Sequence, residues 1–220
     1  MVAFSTLREH KPELRRKGLD GSVFVADYTA DLITTLTSGA SPTLTALPTG
    51  YEDLGVTSDD GSQFEREIEE QTDGSFGHAE PTRADIVSDI TTLTVTAQET
   101  KLLTLALYTG ADTAGIEADA TTGETHILKP NVPSTRYYRI LALYVDQHEG
   151  LDLYIGRILP RAKVTNRGAQ QFGKTEAGIV YELGITAFFD STAGYSEDYF
   201  LAGPGAKALN TSMGITTATP

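Results

Sequence analysis

The chain has no cysteine and no tryptophan. Without thiols there is neither a disulfide staple nor a thiolate metal site, so stability has to come from burial and from assembly. Long apolar runs are missing too. The best candidate, Val23 to Ile33, is broken by Asp27 and Asp31, and nothing approaches the roughly 20 residues of a membrane span. No uninterrupted apolar stretch follows the basic residues Arg8, Lys11, Arg15, Arg16 and Lys17, so neither a secretory leader nor a membrane partner is expected. Catalytic signatures are equally scarce. His10, His78, His126 and His148 are scattered among polar neighbours, and His148-Glu149 opens a zinc-protease-like string only to meet Asp152 where the second histidine belongs. Gly203-Pro204-Gly205 lacks the third glycine of a dinucleotide loop and reads as a turn. Asp59-Asp60-Gly61 lacks the ligand spacing of a calcium loop, and no phosphate-binding loop or nucleophile elbow occurs. The expectation is no enzyme activity, no cofactor and no metal.

What is present is a chain of 220 residues, 40% hydrophobic and 21% charged, enough for one good core and tilted toward strands and turns. The net charge of −13 repels nucleic acid on average. Its distribution says more than its sum. Acids crowd the stretch from Glu52 to Asp89, opposed only by Arg66 and Arg83, whereas Arg157, Arg161, Lys163, Arg167 and Lys174 follow one another with no acid between them.

Residues 1–21 read as a basic arm, disordered until assembly. Val23 to Tyr28 reads as a strand, and Thr34 to Gly50 as a long loop. Gln63 to Glu70 alternates with period two: Phe64 and Ile68 take one face and Glu65, Glu67 and Glu69 the other. In Asp85 to Ile90 the pattern recurs, Ile86 and Ile90 opposing Asp85 and Asp89, before the apolar phase shifts to Leu93, Val95 and Ala97. A bulge or bend near Thr91 would account for the shift. Thr96 and Glu99 have capping-box spacing and Gly110 stands where a helix would end, predicting one α-helix at about 97–109. Further strands are expected at Tyr137–Val145, Leu151–Leu159 and Ile179–Phe189. The fold class is mostly β: a two-sheet sandwich or partial barrel with one flanking helix and long loops. The domain is expected at 22–203, with a Gly/Ala/Thr-rich tail at 204–220.

Three stretches, in order, resemble the major tail proteins of siphophages, especially those of phages infecting actinobacteria. The first is Leu54-Gly55-Val56-Thr57-Ser58-Asp59-Asp60-Gly61 followed by Phe64-Glu65-Arg66-Glu67-Ile68-Glu69-Glu70. The second runs from Pro81-Thr82-Arg83 to Leu107-Tyr108-Thr109-Gly110, and the third is Ile158-Leu159-Pro160-Arg161-Ala162-Lys163-Val164 with Asn166-Arg167-Gly168. The chain departs from these relatives in having Tyr51 where they often carry tryptophan. The resemblance implies hexameric rings stacked into a tube, with inner sheets joined into one multi-subunit barrel. It also implies a tape-measure protein within, tail terminator and distal tail proteins as partners, and double-stranded DNA passing without specific binding. The location it implies is the virion tail, assembled in the host cytoplasm.

On that basis Glu65, Glu67, Glu69, Asp85 and Asp89 are expected to line the lumen, a plain solvated sheet face being the alternative. Arg157, Arg161, Lys163, Arg167 and Lys174 are expected at a subunit or ring interface, again against a solvated surface. Other classes stay open. A related terminator or distal ring protein shares the architecture, a monomeric β-sandwich binding module would use Tyr195, Tyr199 and Phe200, and a hydrolase would need paired acids of perturbed pKa.

Overall fold

Period-two alternation builds one large sheet, and a break in that alternation marks where the sheet leaves its core. The computed structural model describes residues 4–77, 79–131, 135–170, 172 and 178–218. In chain order these form a helical turn α1 (Phe4–Leu7), a 3-10 turn (Pro12–Leu14), β1 (Asp20–Asp27), β2 (Thr37–Ser38), β3 (Thr43–Leu44), β4 (Glu52–Asp53), β5 (Gln63–Gly74) and β6 (Pro81–Ala97). Then come α2 (Leu102–Thr109), β7 (Tyr138–His148), β8 (Leu151–Arg167), β9 (Tyr181–Ala187), β10 (Asp198–Ala202) and α3 (Gly203–Met213). The main sheet has the order β4-β1-β7-β8-β9-β6-β5, with β10 beside β8, and β2-β3 forms a separate ribbon. The chain is mostly β, as expected.

The main sheet curls until its two ends approach. Leu54 donates its amide to Val23 (2.8 Å), Gln98 to Val56 (2.8 Å) and Ser58 to Thr96 (2.9 Å). One short segment thereby touches both ends without closing a barrel. Gly55 turns that segment at φ +96°, and a Cβ there would strike the Glu99 carboxylate and the Lys101 ammonium.

Between the facing halves lies the principal core. Val23 and Val25 of β1, Ile140 and Ala142 of β7, Leu159 and Val164 of β8, Leu183 and Ile185 of β9, and Leu93 and Val95 of β6 are buried there, with Leu107 of α2 as a lid. Each fully buried Leu or Ile contributes about 1.5–3 kcal/mol. Two smaller clusters cover the outside. Ile33 and Leu36 from the long loop pack on Leu141 and Ile158, and Ala206 and Leu209 of α3 pack on Leu153.

Several local expectations change. Gly203-Pro204-Gly205 does not merely turn the chain: it opens α3, a second substantial helix beside the one anticipated, at the start of what reads as a tail. A Cβ on Gly205 would stand 3.0 Å from the carbonyl oxygens of Leu151 and Asp152, so glycine lets the helix lie directly against β8. The capping box does not form, because Thr96 remains in β6 and α2 begins after Lys101. Glu99 instead accepts the Val56 amide at 3.0 Å. Gly110 ends α2 in the left-handed region, φ +72°, as expected. The arm is tied down from Leu14 onward: Leu14 packs on the α3 cluster, and Asp146 accepts the Lys17 amide at 3.2 Å and pairs with Arg16 at 3.3 Å.

Candidate functional site

Cross-strand register assigns every side chain of the β5-β6-β9-β8 quarter to one of two faces. Phe64, Leu93, Ile185 and Val164 stand opposite one another in a single row, and this row faces the core. The rows on either side must face the other way, because period two admits no alternative. One of them runs Glu65, Thr92, Thr186, Lys163, and the next Gln63, Thr94, Gly184, Asn166. The outer face is therefore a threonine surface with an acid at its β5 edge and a base at its β8 edge. Thr165, at a bulge between Val164 and Asn166, shares a hydroxyl hydrogen bond of 2.7 Å with Thr186.

Beyond the Phe64–Leu93 pair, β5 and β6 run out of the core as a two-stranded ribbon. Side chains on both of its faces are exposed or nearly so. Glu65, Glu67 and Glu69 pair with Thr92, Ile90 and Ser88 and continue the outer face. Opposite Glu69/Glu70 the register shifts, leaving Val87 as the extra residue. The pairing runs unbroken past Thr91, so no bulge forms there and Ile90, opposite Glu67, lies on the acid face; the irregularity lies at Val87 instead. It carries Asp85, paired with Gln71, onto the face of Glu65, Glu67 and Glu69. Asp89 pairs with Ile68 and lies on the core-side face. There Arg66 Nε donates to its carboxylate at 2.7 Å, and this guanidinium holds the Asp89 carboxyl below its ordinary value. Four of the five predicted acids thus share a face, and Asp89 does not. The core-side face also leaves Ile68 and Ile86 exposed by 45% and 63%, interleaved with Arg66, Glu70 and Asp89, and the bulged Val87 is 60% exposed.

The predicted basic residues do not form one patch. Arg157 sits at the root of the ribbon, its guanidinium 3.7 Å from the centre of the Phe64 ring and paired with Glu197. Glu197 also accepts a hydrogen bond from the Thr91 hydroxyl at 3.1 Å, so one carboxylate clamps the ribbon root to β8. Arg161 stacks on Tyr137 at 4.1 Å. Arg167 donates to the Leu107 carbonyl of α2 at 3.0 Å. Lys163 and Arg167 line an open cavity of about 600 Å³ with Lys129, Tyr108 and Thr165. Lys174 lies outside the described residues, as does His78.

Among the described residues no three His, Asp or Glu groups converge on a metal-sized site, and no helix is long and apolar enough to cross a membrane. Hydrogen bonds hold the carboxyls of Asp27, Asp89, Glu99, Asp119 and Asp190 below their ordinary values. Of the aromatics a binding module would use, Phe200 packs against the Ile33 cluster and Tyr199 is exposed. Sequence reasoning missed Glu197, whose role follows only from the β10–β8 pairing.

A family model described as phage tail tube protein matches residues 11–202. No curated protein matches the chain.

Proposed function

The chain belongs to the phage tail tube protein family, and we propose that it is the ring-forming structural subunit of a siphophage tail, of the kind found in phages of actinobacteria. In this reading six copies close into a ring, rings stack into a tube around a tape-measure protein, and terminator and distal tail proteins finish its ends. The outer face of β5-β6-β9-β8 turns toward the channel.

One observation carries the reading: a long ribbon leaves the core with Glu65, Glu67, Glu69 and Asp85 on one face and with exposed Ile68 and Ile86 on the other. A two-stranded ribbon is at best marginally stable in water by itself. Neighbouring copies would cover Ile68 and Ile86 and leave Glu65, Glu67, Glu69 and Asp85 facing the lumen. Repeated around a ring, these carboxylates repel DNA phosphates, so no counterions are released and no binding energy has to be overcome during passage. Screening over about 8 Å at physiological salt limits the repulsion between subunits.

Electron microscopy of purified protein across concentration and salt is the direct test, and rings or tubes are expected. A protein that stays monomeric under every condition rejects the reading. Replacing Glu65, Glu67 and Glu69 with Lys is expected to leave folding intact and slow DNA delivery; unchanged delivery removes the lumen assignment.

A further inference from the structure

Strand β9 ends on β8 at Ala187, opposite Ala162, and β10 begins on the same strand at Asp198, opposite Ile158, four residues of β8 away. That gap spans about 13 Å at roughly 3.3 Å per residue, yet the ten residues 188–197 are threaded through it. The surplus is folded into a turn. Just beyond the turn stands Glu197, the carboxylate that clamps the ribbon root.

A buried acid shapes this turn from inside. Asp190 is 0% exposed, and its Oδ1 accepts the amides of Thr192 at 2.8 Å and Ala193 at 3.3 Å. Its main chain accepts the Gly194 amide at 2.7 Å and donates to the Tyr195 carbonyl at 3.2 Å. Gly194 closes the turn at φ +84°, with open space where a side chain would stand. Aspartate often closes turns in this way, but an ionised carboxylate in the interior is costly unless it is compensated. Burial pushes the Asp190 carboxyl up, and the two amides, Arg139 and the Tyr28 hydroxyl outweigh burial and hold it below its ordinary value. Arg139 belongs to β7, is itself buried, and donates its Nε to the Tyr28 carbonyl at 2.9 Å. Neither Asp190 Oδ2 nor Arg139 Nη1 has a hydrogen-bond partner among the described residues, so the two meet as charges and not as a bridge. The turn is thereby tethered to the sheet.

At its other end the connection meets the ribbon. The cover of β6 by β9 stops at the Thr92–Thr186 pair, and Thr91 is the next residue outward. Glu197 takes the Thr91 hydroxyl at 3.1 Å and pairs with Arg157 of β8, so it ties β6 to the body just where the sheet lets the strand go.

We propose that Asp190 is a positioning residue for the ribbon: its buried carboxylate folds the 190–195 turn, and the turn delivers Glu197 to Thr91 and Arg157, which sets the angle at which β5 and β6 leave the body. The positioning is a property of the single chain, and its bearing on assembly rests on the ring reading above.

Hydrogen exchange of the monomer, read by mass spectrometry, is the test. Asp190→Asn is expected to speed the amides of 63–65 and 91–93 by at least about tenfold while 141–145 and 181–185 keep their rates. Glu197→Gln is expected to do the same, and adding Asp190→Asn to it should change nothing further, because both act through one contact. Gly194→Ala strains the same turn from the solvent side and is expected to give the same pattern, which keeps the test decisive if Asp190→Asn does not fold. Where protein assembles, Asp190→Asn and Glu197→Gln should raise the concentration needed for assembly by the same factor, singly or together. Exchange that quickens at 191–195 but stays unchanged at 63–65 and 91–93 overturns the proposal, since the β10–β8 pairing alone then places Glu197. Effects that add in the double variant overturn it as well, since Asp190 then acts on the fold and not through Glu197. Wild-type protein that never assembles rejects the ring reading, and the monomer exchange still decides the positioning.

Discussion

Strand β6 belongs to two regions of opposite character. Its last turns of alternation, Leu93, Val95 and Ala97, are among the most completely buried side chains in the molecule, whereas Ile86, Val87 and Ile90 on the same strand stand in solvent. Both halves mix apolar and polar residues, with charges only in 81–90, and the backbone is continuous. What differs most is the number of neighbours: β9 and the facing half of the curled sheet cover residues 92–97, and only β5 accompanies 81–90. A body that folds by its own burial thus carries a ribbon whose burial depends on something else.

The contrast can be broken from the body side with the largest effect. Leu183→Ala, in the middle of the core, is expected to cost about 2–5 kcal/mol in urea unfolding, whereas Ile68→Ala or Ile86→Ala on the ribbon should stay within about 0.5 kcal/mol for the monomer while impairing assembly. Ribbon variants that destabilise the monomer as much as core variants would show that the ribbon is part of the folded unit. Arg157→Ala comes next. It removes the partner of Glu197 and the cover of Phe64, and should cost about 1–3 kcal/mol by leaving a largely buried carboxylate short of a donor.

Hydrogen exchange sharpens the same contrast without mutation. Amides of 66–74 and 81–90 are expected to exchange near the free-chain rate in the monomer and to slow by at least about tenfold in assembled material, while 92–97 are protected in both.

The smallest effect concerns the joint between the sheet ends. The Val56 amide, and secondarily Lys101, hold the Glu99 carboxyl below its ordinary value. A carboxyl whose value is lower folded than unfolded contributes stability above the ordinary carboxylate range and loses it as pH falls through the folded value. Glu99→Gln should therefore flatten the acid side of the stability profile and change little near neutrality, which thermal melts at a series of pH values can check.

Much of this arrangement was legible in the residues. Alternation from Gln63 to Glu70 located β5 and its acid row, and Gly110 located the end of α2, because both signals are local. The position of the bulge was not, since Ile86 and Val87 are both apolar and only the pairing with Glu69 and Glu70 shows which is extra. That ambiguity is what placed Asp89 with the other acids. Helix α3 was hidden for a related reason: Gly203, Pro204 and Gly205 look like a turn until β8 is seen lying beneath them. The row from Glu65 to Lys163 joins four strands distant in sequence, and no local pattern encodes such a partnership. Glu99 kept its importance but changed its task, from a helix cap to a clasp on Val56.

The Phe64–Leu93 row, flanked by Arg157 and Glu197, is also the fulcrum of a lever. Ten residues of β5 beyond Phe64 extend for roughly 34 Å at about 3.4 Å each, so a rotation of about 5° at this row displaces the tip by about 3 Å, as far as one hydrogen bond is long. Small adjustments deep at the fulcrum are thereby magnified at the tip, and the stiffness of a few packed side chains sets how accurately the far end can be aimed.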